Sequence, residues 1–285
     1  MNALGTGAVV AGAPVHRDDR HGPDAFCNPY FRARQVMVAS QLEAIFELRY
    51  QVYCVERGFL DPADYPDRRE RDGYDDLSLH YGLYSLDDEL AGTMRLVRGR
   101  LSQLPLVEHC PLAADAERLL APLGLIGEIS RLAVSRNFRR RTGDGFYSLQ
   151  VAPPRQTLPR GDISATPERR GSAPFVLHLY REAYQACRRS GINFLLAAVE
   201  RPLARLLNAL GFTFEQIGPE VDYYGPVAPF MLDLDRFDRL VVRRRAGLLR
   251  FLAEGLEPSL YPPPLRLLDE APECTSQAHP SQPPA

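Results

Sequence analysis

Three polar side chains interrupt the apolar segment Leu125–Val134, and their types could support acid–base chemistry. They are Glu128, Ser130 and Arg131. A segment that is apolar on both faces is typical of a strand in the middle of a sheet. Burial beside a cleft raises the pKa of a carboxyl group, which would suit Glu128 to the role of general base. The alternative is a buried structural ion pair between Glu128 and Arg131.

The geometry of this strand determines which of these side chains can act together. In strict alternation, Glu128 and Ser130 share one face of the strand and Arg131 points to the other. A bulge in the strand would break the alternation and could turn both charges into one cleft. Backbone N–H groups at such a bulge could stabilise the negative oxygen of a tetrahedral intermediate.

Two further arginines lie on segments that are otherwise apolar. Arg49 lies on the apolar stripe of a helix predicted over Gln41–Glu56, where an unpaired charge would be strongly destabilising. Arg95 lies in a predicted strand, Glu89–Val97, where an edge position in the sheet would also tolerate it. Arg49 therefore needs a carboxylate partner, and a structural ion pair with the following acidic loop is the simplest interpretation. The candidate partners are Glu70, Asp72, Asp75 and Asp76.

A basic run with two glycines follows the Glu128 strand directly, from Arg139 to Gly145. Within it, Arg140, Gly143 and Gly145 could form a loop whose backbone N–H groups bind phosphate oxygens. The glycines would let the backbone approach closely, and the arginines would add positive charge. A solvated basic turn explains the pattern equally well.

The remaining pattern alternates strands with helices, which predicts a single α/β or α+β domain. Ser78–Ser85 and Glu89–Val97 form a hairpin across the turn at Asp87–Asp88. The other predicted elements are strands at Arg34–Ala39, Ile192–Val199, Phe212–Ile217 and Ala228–Leu234, and helices at Phe175–Arg189, Pro202–Leu210 and Asp235–Glu254.

Composition and charge exclude several classes of protein. The 285 residues are 45% hydrophobic and 25% charged with a net charge of −2, which excludes a fibrous protein and an overall basic field for nucleic acid. All 34 basic residues are arginine. The five cysteines are widely spaced without a C-x-x-C motif, which favours free thiols in the reducing cytoplasm over disulfides or a metal site. No apolar run approaches the length of a membrane span.

We therefore predict one folded domain between two irregular ends. Residues 1–30 form a disordered N-terminal segment, residues 31–255 form the domain, and residues 256–285 form a Pro-rich tail. A loop rich in Pro, Arg, Gly and Ser, at about residues 146–173, is inserted into the domain.

Five short motifs occur in a fixed order along the chain, and together they resemble a known enzyme family. The order is similar to that of the acyl-homoserine-lactone (autoinducer) synthases. It is more similar still to the acyltransferases associated with PEP-CTERM/exosortase gene clusters and to the long-chain N-acyl amino acid synthases. The resemblance covers about residues 34–235. The motifs are Arg49-x-x-Val52-Tyr53, Glu56-Arg-Gly-Phe59, Glu70-x-Asp72-x-Tyr74-Asp75, Gly92-x-x-Arg95-Leu96 and Glu128-x-Ser130-Arg131.

The resemblance implies a GNAT-like fold with a mixed, splayed central sheet flanked by helices. The donor would be a fatty acyl thioester on acyl carrier protein or coenzyme A, with its pantetheine arm in the cleft between the central strands. The acceptor would be the primary amine of an amino acid or similar molecule, and no cofactor would be permanently bound. Basic surface runs would dock the acidic carrier protein, and the lipid product could bring peripheral membrane contact. A link to exosortase and exopolysaccharide export is also implied.

The resemblance also assigns roles to individual residues. Glu128 would be the general base, acting directly or through a water molecule, with Ser130 and Arg131 beside it. The acceptor side would be organised by Arg49, Phe59, Asp72, Asp75 and Arg95, and the phosphate-binding loop would contain Arg140, Gly143 and Gly145. The implied acyl tail needs an apolar slot, which Ile192–Val199 and Phe212–Phe214 could line, or these residues could simply pack in the core. The resemblance also suggests Tyr223–Tyr224 as the general acid for the leaving thiolate.

Three features depart from the acyl-homoserine-lactone synthases. Phe59 stands where those enzymes carry tryptophan, which argues against use of S-adenosylmethionine. The chain is longer than those synthases because of the insertion at about residues 146–173. In ordinary GNAT enzymes the phosphate-binding loop runs straight into a helix, whereas here the next clear helix after Gly145 begins near Phe175. We therefore expect a long-chain N-acyltransferase, and the alternatives are an autoinducer synthase or a non-catalytic module that binds acyl carrier or lipid. Retention of a costly charge at Glu128 argues against the module.

Overall fold

An eight-stranded, mostly antiparallel sheet forms the centre of the protein in this computed structural model, which describes residues 26–138 and 175–269. The order across the sheet is β1-β2-β3-β4-β5-β8-β6, with β7 also paired to β8. The strands are β1 (Phe31–Val36), β2 (Leu79–Ser85), β3 (Leu90–Gly99), β4 (Ile126–Val134), β5 (Phe194–Val199), β6 (Glu215–Gln216), β7 (Val221–Asp222) and β8 (Pro226–Asp233).

Helices cover both faces of this sheet, as the mixed pattern of the sequence predicts. The first of them, α1, continues directly into a π-helix at Gln51–Glu56. The α-helices are α1 (Ala39–Tyr50), α2 (Pro105–His109), α3 (Ala114–Leu120), α4 (Leu177–Arg189), α5 (Arg201–Leu210), α6 (Leu234–Ala253) and α7 (Pro263–Asp269).

Two hydrophobic cores lie on opposite faces of the sheet. The larger one packs α4 and α6 against the sheet and contains Phe175 and Phe237. The smaller one packs α2 and α3 and contains Leu106 and Leu120. Because each central strand contributes apolar residues to both cores, β4 is buried along most of its length.

Strands β4 and β5 form the sheet's one parallel pair among the described residues, and they stay together only over a short distance. Pairing runs from Gly127 and Leu195 to Ile129 and Ala197, although both strands continue beyond those points. At the paired end, a Cβ atom on Gly127 would approach the terminal methyl group of Leu195 to 2.9 Å, so the two strands pack closely there. The two strands therefore diverge towards their carboxyl ends.

A bulge in β4 lies on the diverging side. Arg95 of β3 pairs with Ser130, whereas Thr93 pairs with Ala133, so one more residue is accommodated on β4 than on β3. Arg131 lies at this extra position with φ of 52°, in the left-handed region that non-glycine residues seldom adopt. Of the two arrangements that the sequence left open for this strand, the bulged one is observed.

Most predicted elements are present, with shifted ends. The first strand was expected at Arg34–Ala39 but is β1, because Ala39 already begins α1. The strand expected at Phe212–Ile217 is reduced to β6, since Phe212 and Phe214 turn into the larger core. Helix α7 lies within the segment expected to be a Pro-rich tail. Helix α7 packs on α6 through the buried Leu265, so the folded part extends beyond residue 255 to the end of α7 at Asp269.

Candidate functional site

A cleft opens where β4 and β5 diverge, and it joins the two cores through the gap in the sheet. Its polar mouth brings together five residues that the sequence predicts for the site. Its apolar end is closed by Tyr180 of α4 and Leu203 of α5. The predicted residues at the mouth are Phe59, Arg95, Glu128, Ser130 and Arg131.

Glu128 is the carboxyl group buried most deeply against this cleft. Its side chain is 4% exposed, and its Oε2 accepts a hydrogen bond of 2.8 Å from the backbone N–H of Leu106 in α2. Burial raises the pKa of Glu128 to about 8, although the Leu106 N–H and the charges of Arg95 and Arg131 act in the opposite direction. Glu128 is therefore largely protonated at pH 7, yet it can lose its proton at a mildly alkaline pH.

The structural ion pair between Glu128 and Arg131, considered from the sequence, is replaced by a different arrangement. Arg131 donates from Nε to Glu70 at 3.0 Å and from Nη2 to Asp72 at 2.9 Å. The bulge turns its guanidinium away from the Glu128 carboxyl group and into a separate cluster of charges. Glu128 is thereby left available to a ligand in the cleft.

That cluster is a closed ring of three arginines and three carboxylates. Every arginine donates to two carboxylates, and every carboxylate accepts from two arginines, so the ring has no net charge. We call these six residues the charge ring. They are Arg49, Glu70, Arg131, Asp72, Arg95 and Asp75, in order around the ring.

The deepest part of the charge ring is centred on Arg49. Its Nε donates to Glu70, and its Nη1 and Nη2 donate to the two oxygens of Asp75 at 2.7 and 3.0 Å. Burial alone would raise the pKa of Asp75, but hydrogen bonds and positive charge from Arg49 and Arg95 outweigh it and lower that pKa. Asp75 therefore stays ionised at neutral pH. The predicted structural pair between helix and loop is thus real, and it is part of a larger assembly.

The outer part of the charge ring faces the cleft. Asp72 is its most exposed member, with 25% of its side chain exposed, and it joins Arg95 to Arg131. Arg95 and Arg131 line the cleft, whereas the other four members of the ring do not. The two arginines on the cleft side are therefore held by carboxylates that do not line it.

The π-helix places an aromatic wall beside the charge ring. π-Helical turns are rare and often occur at functional sites. Here the turn aims the hydroxyl of Tyr53 at the backbone oxygen of Leu132, 3.0 Å away, next to the bulge. Burial raises the pKa of Tyr53 to about 12, so this hydroxyl remains a donor. The ring of Phe59 stacks on Tyr53 with centroids 6.5 Å apart, and both line the cleft.

Several predicted site residues lie elsewhere or outside the described residues. Arg140, Gly143 and Gly145 belong to the latter group, so the phosphate-loop hypothesis stays a prediction. Of the residues expected to line an acyl slot, Ala198 and Val199 line the cleft, whereas Phe212 and Phe214 pack in the larger core. Tyr223 and Tyr224 both line the mouth of the cleft.

Sequence reasoning missed other contributors to the cleft. Leu106 acts through its backbone N–H, for which no side-chain signal exists. Glu200, Tyr180 and Leu203 follow from where β5, α4 and α5 pack, and only the apolar spacing of Leu203 marked it as buried. Tyr53 shared the helical stripe of Arg49, and this spacing was the available signal.

Within residues 26–138 and 175–269, no helix combines the length and apolarity needed to cross a bilayer. No three His, Cys, Asp or Glu side chains are grouped there as metal ligands.

Sequence comparison identifies the type of domain. The acetyltransferase (GNAT) domain family matches residues 48–147, which include the whole charge ring. A curated relative, an acyl-homoserine-lactone synthase of Aeromonas salmonicida, is 25% identical over 150 residues, which make up 52% of this chain and 58% of that protein. This chain therefore matches less than two thirds of the length of that relative.

Structural comparison extends the likeness beyond that segment. BjaI, a CoA-dependent acyl-homoserine lactone synthase solved with SAM and isopentyl-CoA, matches with a TM-score of 0.51 and 20% identity over 81% of this chain and 91% of BjaI. FeeM, an N-acyl amino acid synthase from uncultured soil microbes, gives a TM-score of 0.48 and 15% identity over 74% of this chain and 93% of FeeM. The BjaI likeness confirms the predicted GNAT-like fold. Residues 48–147 thus match the acetyltransferase (GNAT) domain family, and the aligned part of the chain has a fold like that of BjaI.

Proposed function

We propose that this protein is an N-acyltransferase that moves a long-chain fatty acyl group from a thioester to the amine of an amino acid or a similar acceptor. The observation that carries the proposal is the position of Glu128, a buried carboxyl group with a raised pKa that lines a cleft between diverging strands. A group of this kind suits acid–base chemistry because its proton can leave and return near neutral pH.

The reaction needs a base because a free amine is largely protonated near pH 7. Glu128 takes a proton from the protonated acceptor amine, and the neutral nitrogen then attacks the thioester carbonyl carbon. The tetrahedral intermediate collapses, the C–S bond breaks, and the leaving thiolate takes the second proton that the nitrogen loses. With a pKa of about 8, about a tenth of Glu128 is in the basic form at pH 7. Direct attack needs no acyl-enzyme, which agrees with the buried, high-pKa thiols of Cys110 and Cys187.

The donor's acyl chain would occupy the apolar end of the cleft. Leu132, Tyr180 and Leu203 line that end and offer a hydrocarbon surface to a fatty chain. Either acyl carrier protein or coenzyme A could deliver the thioester. Exposed arginines on α6, including Arg239, Arg243 and Arg244, could face an acidic carrier protein. A cytoplasmic location, where such thioesters are made, remains part of this proposal.

The acceptor would bind at the polar mouth, between the aromatic wall and the charge ring. Arg95 and Arg131 are the ring members that line the cleft, so they are the candidates to contact the carboxylate of an amino acid. Their carboxylate partners do not line the cleft and fix the direction of both guanidinium groups. Arg49, Asp72 and Asp75 would accordingly position these two arginines.

The second candidate function is an acyl-homoserine-lactone synthase, which the names of the Aeromonas relative and of BjaI favour. The presence of Phe59 at a position where those synthases carry tryptophan weighs against it. A non-catalytic module would be favoured by a Glu128 sealed away from any cleft, and Glu128 instead lines one. The association with PEP-CTERM and exosortase systems stays a prediction from the sequence.

The testing experiment is mass spectrometry of lipid extracts from a bacterium that expresses this chain, beside one that expresses the Glu128→Gln variant. N-acyl amino acids present in the first culture and absent from the second would support the proposal and name both chain and acceptor. Acyl-homoserine lactones in their place would favour the second candidate. If folded protein yields no new amide in either culture, the purified protein should be tested for binding of acyl carrier protein.

A further inference from the structure

Arg95 and Ser130 lie directly opposite each other on β3 and β4, and the bond between them fixes the direction of a hydroxyl group. Arg95 Nε donates to Ser130 Oγ at 3.0 Å. A guanidinium group can only donate, so Ser130 Oγ is the acceptor in this bond and its hydrogen must point elsewhere. In the described part of the chain, that hydrogen reaches no protein acceptor. Because Ser130 is half-buried and lines the cleft, its O–H can donate to a ligand there.

Ser130 and Glu128 are placed so that one reacting group can contact both. The two residues pair with Arg95 and Val97 in regular register, ahead of the bulge, so their side chains share one face of β4. Both line the cleft. A tetrahedral centre there can direct its nitrogen at Glu128 and its oxygen at Ser130.

We propose that Ser130 is a catalytic residue whose O–H donates a hydrogen bond to the thioester carbonyl oxygen as that oxygen becomes negative. This inference rests on the proposed function and deepens it. As the amine attacks, the C=O π electrons move onto oxygen, and Ser130 stabilises the charge without giving up its proton. Glu128 receives the proton of the amine, and the sulfur leaves with the C–S electron pair. Arg95 is the positioning residue, since its charge polarises the hydroxyl and sets its direction.

The test compares three forms of the protein in amide formation with the acyl donor that supports the wild type. Ser130→Ala removes the donor and is expected to lower kcat about 10²–10³-fold, with the KM values of donor and acceptor nearly unchanged. Ser130→Thr keeps the hydroxyl on a residue suited to a strand, and most of the rate should return. Thermal unfolding of both variants shows whether loss of the Arg95 bond, rather than loss of the donor, alters the fold.

An acyl donor with sulfur in place of the carbonyl oxygen distinguishes a catalytic Ser130 from a structural one. If Ser130 only supported the fold, the effect of Ser130→Ala would not depend on this substitution. In a dithioester the carbonyl oxygen is replaced by sulfur, a weak hydrogen-bond acceptor. The penalty of Ser130→Ala should then largely disappear, because wild type and variant both lack the hydrogen bond. An equal penalty with thioester and dithioester would overturn the inference. So would a change confined to the KM of the acceptor, which would assign the hydroxyl to the acceptor's carboxylate.

Failure of this inference and failure of the proposed function give different results. If the wild type forms amide and Ser130→Ala keeps full activity, the role of Ser130 is wrong and the N-acyltransferase proposal stands. If the folded wild type forms no amide with any amino acid and either carrier, both are wrong.

Discussion

The backbone N–H of Leu106 donates to Oε2 of Glu128, and this bond ties the candidate base to the short helix α2. The bond favours the ionised form of Glu128, while burial favours the neutral form, and burial dominates. The side chain is thus held by one oxygen and poised between two protonation states.

Replacement of Glu128 by glutamine should abolish catalysis and leave the fold intact. Glutamine keeps the shape of the neutral acid and the bond from Leu106, but it cannot take a proton. The rate of amide formation should fall at least about 10²-fold, measured by mass spectrometry of the product. Glu200→Gln is the matched control, since Glu200 lines the same cleft but has 27% of its side chain exposed. If Glu200→Gln lost activity and Glu128→Gln did not, Glu200, which follows β5, would be the base instead.

The rate should also rise with pH through about pH 8, where half of Glu128 is in the basic form, and level off above it. The acceptor amine titrates as well, so kcat/KM should be measured against pH with two acceptors of different amine pKa. The inflection from Glu128 should stay near pH 8 while the other inflection moves with the acceptor. A profile governed by the amine alone would contradict the assignment.

The same raised pKa predicts how stability depends on pH. Folded Glu128 keeps its proton up to about pH 8, whereas the unfolded chain releases it near pH 4.5, so the folded state binds more protons in between. Its contribution to the free energy of unfolding is present in full below pH 4.5 and is lost as pH rises through 8. The difference is on the order of 5 kcal/mol. Urea unfolding at several pH values gives the free energy of unfolding against pH for the wild type and for Glu128→Gln. The variant should lose less stability between pH 4.5 and 8, and equal losses in both proteins would refute the prediction.

Breaking the charge ring should be far more costly than breaking a surface ion pair. Arg49→Met leaves Glu70 and Asp75 buried without one of their cations, and the free energy of unfolding should fall by about 3–5 kcal/mol. The control is Arg34→Met, whose pair with Asp88 is exposed and should contribute less than about 1 kcal/mol. Denaturant unfolding of both variants provides the comparison. Similar small losses would mean that the ring is dispensable for stability.

The apolar end of the cleft should set the preferred acyl length. Leu203→Phe shortens the space between α5 and Tyr180, so the product distribution should shift to shorter chains while amide formation continues. Asn208→Phe adds the same bulk on the exposed face of α5 and should leave the distribution unchanged. Competition between acyl donors of different length, read by mass spectrometry, measures the shift. Identical distributions for both variants would place the acyl chain elsewhere.

The sequence predicted the members of the site better than their connections. An arginine on an apolar stripe demands a carboxylate, so the need of Arg49 for the following loop was evident. The sequence could not show that Arg95 and Arg131 close a ring with the same loop, because that depends on the register of β3 against β4. The bulge at Arg131 was likewise an open alternative, since no glycine marks it.

Other features escaped because they depend on packing rather than on local pattern. Nothing in the spacing of Gln51–Glu56 distinguishes a π-helix from the continuation of an α-helix. Pro258, Pro262, Pro263 and Pro264 suggested an unstructured tail, but α7 begins at Pro263, where proline suits the first helical turn. The prediction of a strand beginning at Phe212 was wrong because Phe212 and Phe214 pack in the larger core instead of pairing with a neighbouring strand.

Because the charge ring is closed and largely buried, its charges should respond to salt differently from the charges on the protein surface. Its six charges cancel within a largely buried unit, and dissolved ions screen such pairs much less than exposed ones. The exposed arginines of α6 have no such protection. Ionic strength should therefore act on the encounter with an acidic carrier and spare the chemistry in the cleft. Measuring the reaction at increasing salt concentration therefore distinguishes binding of the carrier, which salt should weaken, from the chemical step, which salt should leave unchanged.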